Sequence, residues 1–172
     1  MTEVDVASAI RSVPSDKYGD DYQAHVLEMW KVYLGMADNI SDRRERANAF
    51  FITLHTGAIA VIGFLVEKQM YAWAAAVALL AGVPFSFLWY RLIRSYRDLN
   101  TAKFKVVHEV EKLLPLKLFD GEWEAVGRGE DPKRYLPFTH IEIYVPVVLL
   151  VLHILIVIGF LLFQFPPWPN PS

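Results

Sequence analysis

The sequence predicts an all-α membrane protein with three transmembrane helices, an N-terminal amphipathic cytoplasmic helix and a long helical cytoplasmic extension of the second span. Three observations carry this reading. Long stretches lack charge, an apolar stripe at helical spacing precedes the first of them, and positive charges gather at particular ends of the stretches. The chain has 172 residues, 54% of them hydrophobic and 21% charged. Its mean hydropathy of +0.27 is high for a soluble domain of this size.

The first charge-free stretch runs from Ala47 to Val66, the second from Gln69 to Tyr90, and no charge follows Glu142. A helix needs about 20 apolar residues to cross a hydrocarbon core roughly 30 Å thick, and each stretch meets that length. A soluble fold of this size has no core large enough to hide three such helices. The first stretch follows a polar, Asp-containing region, so it does not read as a cleavable leader. The predicted spans are 47–66, 71–90 and 144–165.

Each remaining segment has its own signature. Residues 1–21 are polar and broken by Pro14 and Gly19, which predicts a flexible arm with a short helix near Val4 to Ile10. Over 22–46 a cytoplasmic helix is predicted. Val26, Met29, Trp30, Tyr33, Ala37 and Ile40 recur at steps of three and four on one face. Asp42 and Glu45 fit a capping box for the next helix, or the helix runs on unbroken into the first span. From Tyr90 to Leu114 neither Pro nor Gly occurs, while Leu92, Tyr96, Leu99, Val106, Val110 and Leu113 continue an apolar stripe. One helix from Tyr71 to Leu114 would be about 66 Å long, with Pro84 kinking it and Pro115 ending it. Its stripe needs a partner, and the Val26 to Ile40 face is the natural one. The rest of 91–143, from Pro115 on, reads as a loop packed on Phe119, Trp123, Tyr135 and Phe138. Residues 166–172 form a tail.

Positive charge sets the expected orientation. Arg43, Arg44 and Arg46 precede the first span, and Arg91, Arg94, Arg97, Lys103 and Lys105 follow the second. The connection at 67–70 holds Lys68 alone and the tail holds none. The positive-inside rule then puts the N-terminus and 91–143 in the cytoplasm and the C-terminus in the periplasm. Tyr71, Trp73 and Trp168 fall at the outer interface, and Trp89, Tyr90 and Tyr144 at the inner one.

The formal net charge of −2 excludes a histone-like basic nucleic-acid binder, and the absence of cysteine excludes disulfides, thiolate metal sites and cysteine nucleophiles. No HExxH, GxSxG or P-loop occurs. His108 beside Glu109, and His140 near Glu142, lack a third ligand at helical spacing. No enzymatic activity, metal or cofactor is expected. Polar residues within the spans carry more weight. In the first span Asn48, Ile52, His55, Thr56 and Ile59 are candidate pore-lining residues. Asn48 would be a polar mouth, Ile52 or Ile59 an apolar constriction and His55 a titratable ring. The alternative is that Asn48, His55 and Thr56 bond helix to helix. Arg91, Arg94, Arg97, Lys103, Lys105, Arg128, Lys133, Arg134 and Tyr135 are candidate ligands for an anionic nucleotide or a short single strand. Arginine pairs with phosphate bidentately, and an aromatic ring stacks on a base. Topology and lipid headgroups are the other use of the same cations.

The runs Asp42-Arg-Arg-Glu-Arg-Ala-Asn-Ala-Phe-Phe51 and Leu88-Trp-Tyr-Arg-Leu-Ile-Arg-Ser-Tyr-Arg-Asp-Leu-Asn-Thr-Ala-Lys-Phe-Lys105 carry a resemblance, with Glu122-Trp-Glu and Tyr135-Leu-Pro-Phe-Thr-His-Ile-Glu142. Over residues 22–160 the chain is similar to small bacterial membrane effectors of the SLATT type and of Hailong-type systems. The shared plan is a cytoplasmic helix, a tight membrane hairpin and a helical extension. The span Tyr144 to Phe165 is additional to the two-span SLATT plan. The resemblance implies an oligomeric inner-membrane ion channel or pore effector in anti-phage defence. It would be gated by a nucleotide or oligonucleotide signal from a partner nucleotidyltransferase. Three spans cannot enclose water by themselves, so the expected partners include other copies of the chain, with a tetramer as one size. A non-conducting membrane anchor or scaffold for a cytosolic protein is the alternative function.

Overall fold

The computed structural model describes residues 5–164, and only the backbone of Thr139, His140 and Gln164. The tail at 166–172, with Trp168, lies outside the described residues. In chain order the helices are α1 (Val6–Ile10), α2 (Ser15–Tyr18), α3 (Tyr22–Glu67), α4 (Tyr71–Val77), α5 (Val83–Glu111), α6 (Leu118–Ala125), α7 (Phe138–Glu142) and α8 (Tyr144–Gln164). The described residues contain no strand. Three stretches are long and apolar enough to cross a membrane: α3, the run Tyr22–Glu67; Tyr71–Glu111; and Tyr144–Phe163.

The chain divides into two compact units. The first takes the residues up to Arg43 together with Ser95–Pro137; the second takes Arg44–Arg94 and the residues from Phe138. Helix α3 is continuous over 46 residues, so the chain runs on through Asp42 and Glu45 without a new cap.

In the second unit α3 and α4 meet in a tight turn. The Met70 N–H donates to the Leu65 carbonyl and the Gln69 N–H to the Val66 carbonyl. This is the Schellman arrangement, which needs a left-handed residue after the helix. Gln69 supplies it at φ 60°. Pro84 was expected to kink the second span. The structure widens the turn before it into a π-helical turn at Ala78–Gly82, where the Val83 N–H reaches the Ala78 carbonyl. A proline ring crowds the carbonyl four residues back, and a wider turn moves that carbonyl aside. Two apolar clusters hold the spans together. Phe51, Trp89 and Ile93 pack with Leu149, and Ile62, Ala74 and Ala78 pack with Ile156. The rings of Phe51 and Trp89 stack at 5.7 Å, almost parallel.

In the first unit the buried face of α3 is Val26, Ala37 and Ile40, the predicted stripe. Met29 belongs to that predicted set but lies outside, 62% exposed. Helix α5 ends at Glu111, three residues before the expected stop, and single turns at Leu113 and Leu114 complete the run to Pro115. The expected loop contains a helix, α6. The fully buried Glu111 carboxylate accepts the N–H groups of Phe119 and Asp120 at 2.9 and 3.1 Å. These are free donors of the first turn of α6, so a side chain from the preceding helix caps it. Phe119 then packs edge-on against Trp30 and Phe104.

Candidate functional site

The second unit carries a buried polar cluster built from all three of its spans. Asn48 on α3 donates through Nδ2 to Glu142 Oε1 at 2.9 Å and accepts from Trp89 Nε1 at 2.8 Å. Arg44 Nε lies 3.6 Å from Glu142 Oε2, an ion pair longer than a hydrogen bond. Residues 44, 48 and 55 share a face of α3 because steps of four and seven return to nearly the same direction. His55 follows on that face, 2% exposed, with its ring against Trp89 and 5.3 Å from the ring of His153. His153 has its Nδ1 2.6 Å from the Leu149 carbonyl. That bond requires a proton on Nδ1, and Nε2 has no hydrogen-bond partner among the described residues. Gly82 is what admits this imidazole. A Cβ there would sit 1.8 Å from His153 Cδ2.

The pore candidates divide. Ile52, His55, Thr56 and Ile59 line one open groove of about 510 Å³, whose other wall is Ile141, Tyr144, Val145, Val148 and Leu149. Asn48 is not among its lining residues. In the structure Asn48 makes an interhelical contact, because Trp89 and Glu142 take both ends of its amide. The Thr56 hydroxyl donates to the Ile52 carbonyl of its own helix, as a polar group facing lipid or a narrow path must. Neither ring nitrogen of His55 has a hydrogen-bond partner among the described residues.

The basic candidates also divide. Arg91 and Arg94 belong to the second unit, where Arg94 donates to the Tyr90 hydroxyl at 3.4 Å. The others belong to the first. Arg97 pairs with Asp98, and Lys103 sits 4.4 Å above the Tyr33 ring. Lys105, Lys133 and Arg134 are exposed. Arg128 is held by Glu124 at 2.5 Å and Asp120 at 3.1 Å. The Glu124 hydrogen bond, with the charge of both acids, raises its pKa above the ordinary guanidinium value. Two carboxylates therefore already occupy the cation. Tyr135 packs edge-on against Trp123 rather than standing free to stack. The left-handed Gly127-Arg128-Gly129 turn lies beside this pair, where a Cβ on Gly129 would come within 3.1 Å of the Trp123 ring.

Sequence reasoning missed Glu142 as the acceptor for Asn48, and Glu111 as a cap. Glu142 carries a local signal, a lone acid two residues before an apolar run. Glu111 carries none, because its partners are backbone amides eight and nine positions away. Among the described residues no cluster of three metal-ligating side chains occurs.

A family model described as the octameric membrane protein family (8xMP) matches residues 27–163. No curated protein and no solved structure matches the chain.

Proposed function

The chain belongs to the octameric membrane protein family, and on that premise we propose that it forms a ring of eight copies that conducts ions across the bacterial inner membrane. Membership makes it a membrane protein that assembles with itself. The family name favours eight copies over the tetramer weighed from sequence. The observation that carries the conducting role is the open groove shared by Ile52, His55, Thr56 and Ile59. Inside one copy the spans are closed by the Phe51–Trp89–Ile93 and Ile62–Ala74–Ala78 clusters. A water path must therefore run between copies, and a groove with the hydroxyls of Thr56 and Tyr144 and one imidazole among apolar side chains suits a gated constriction.

The reading extends to gating. The resemblance to SLATT-type and Hailong-type effectors supports a nucleotide or oligonucleotide signal in anti-phage defence, made by a partner nucleotidyltransferase. Among the candidates of the first unit, Lys105, Lys133 and Arg134 are the best-placed cations for its phosphates, because they are exposed and no acid is paired with their side chains among the described residues. Arg128 contributes less while Glu124 and Asp120 hold it. Such a signal gates only by binding closed and open rings unequally. In this reading the N-terminus and 91–143 face the cytoplasm, and the protein catalyses no reaction.

Purified protein in liposomes tests conduction. Ion flux is expected, and Thr56→Leu or Ile59→Phe should change it several-fold. An intact oligomer that conducts under no condition would instead be the anchor or scaffold. Charge reversal at Lys133 and Arg134 should weaken nucleotide binding; unaltered affinity would remove these residues from the ligand site.

A further inference from the structure

We propose that the part of α3 before the membrane is the contact between neighbouring copies, with one flank of each helix seated on the opposite flank of the next. Within the first unit α3 exposes Met29, Val32 and Met36, at 62, 65 and 50%. Their spacing of three and four puts them on one flank, and Arg43, seven residues after Met36, continues it. Lipid cannot cover them, because the charge-free span begins only at Ala47. Three large apolar side chains left in water on one helix flank mark a protein contact.

A second copy fits that flank. Roughly 90–150° around the helix, at 3.6 residues per turn, lie Gly35, Asp42 and Asp38, all exposed. Gly35 is mid-helix, and a Cβ there would meet nothing within 4 Å, so packing inside the subunit does not explain its lack of a side chain. It leaves room for the Val32 or Met36 of a neighbour. Asp38, Asp42 and Arg43 make no ion pair or hydrogen bond among the described residues. Copies inserted in one membrane with one orientation hold these residues at the same height. Parallel neighbours therefore bring the acidic flank of one helix to the Arg43 of the next, and the Gly35 of one to the apolar stripe of the other. A contact between two different flanks repeats from copy to copy and closes a ring.

This inference rests on self-assembly, not on conduction. The natural chain has no cysteine, so cross-linking needs no background removal. The double variant Asp42→Cys/Arg43→Cys, oxidised in membranes, should give a ladder of covalent multimers. Each single variant should stay monomeric. A double variant that stays monomeric, or a covalent dimer from either single variant, overturns the flank-to-flank contact, since one thiol per chain joins no more than two chains. Arg43→Asp should lower the assembled mass in detergent, and Asp42→Arg with Arg43→Asp should restore it; Arg44 and Arg46 remain to hold topology. No restoration overturns the pairing. Val32→Glu should also lower the assembled mass while helical content by circular dichroism stays unchanged, and an unchanged mass overturns the stripe. A ladder without ion flux would remove conduction and leave this interface, whereas flux without a ladder would do the reverse.

Discussion

The two units of the chain handle polar groups in opposite ways. In the unit from Arg44, one set of polar side chains turns inward and its members bond each other: Asn48 bridges Trp89 and Glu142, and Glu142 faces Arg44. In the other unit the inward acid, Glu111, is spent on a helix end. Its remaining ions lie on the surface, as Arg128 does with Asp120 and Glu124. The difference follows from solvent. Lipid offers no hydrogen bonds, so any polar side chain in a span must find protein. Water lets charges stay outside, and the costly groups there are the exposed apolar ones. Exposed Leu155 or Phe163 on α8 needs no explanation beyond lipid, whereas exposed Met29 and Val32 do.

The sharpest way to break this contrast is Asn48→Leu. It strands the Trp89 N–H and leaves a buried carboxylate with a distant Arg44 as its remaining neighbour. Leaving two buried hydrogen-bonding groups without this partner costs about 1–3 kcal/mol each, and more for the charged one. Denaturation in mixed detergent micelles should show a loss of that size; a loss below 1 kcal/mol would mean the cluster contributes little. Next is Gly82→Ala, whose new methyl group collides with the His153 ring. Overpacking of this kind costs about 1–3 kcal/mol. Adding His153→Ala should recover part of it, and strictly additive losses would refute the collision.

The unit outside the spans is tested by Glu111→Ala. Leaving two half-buried N–H donors unanswered costs up to about 1–3 kcal/mol, and amide exchange should speed up first at Phe119 and Asp120. Glu111→Gln, which can still accept, should fall between. Equal exchange in all three proteins would remove the cap. The smallest effect is a gain. Gln69 holds a left-handed backbone that costs a residue with a Cβ about 1 kcal/mol. Gln69→Gly should therefore stabilise the hairpin slightly, as a higher midpoint in the same denaturation. A lower midpoint would show that the Gln69 side chain matters more than its backbone.

Much of the architecture was legible because its signals are local. Charge-free windows long enough to span a membrane follow from length and composition, and so does the Val26 to Ile40 stripe. The widened turn at Ala78–Gly82 was only half legible. Pro84 announced a disturbance, but its form depends on what the neighbouring span inserts, here the His153 ring against Gly82. Helix α6 is hidden in the sequence because Gly121 sits inside it, Gly127, Gly129, Pro132 and Pro137 follow, and so short a helix does not stand alone. Its cap comes from Glu111 and its anchor from Trp30.

The candidate site divides in the same way. Spacing alone put Asn48, Ile52, His55, Thr56 and Ile59 within reach of one another along a helix. Which of them bond inside the copy and which line the groove was settled by α7 and α8, far along the chain. Hydropathy and helical period determined which helices can cross a membrane. Only packing decided which polar atoms found partners, because a hydrogen bond between residues 94 positions apart leaves no trace in either neighbourhood.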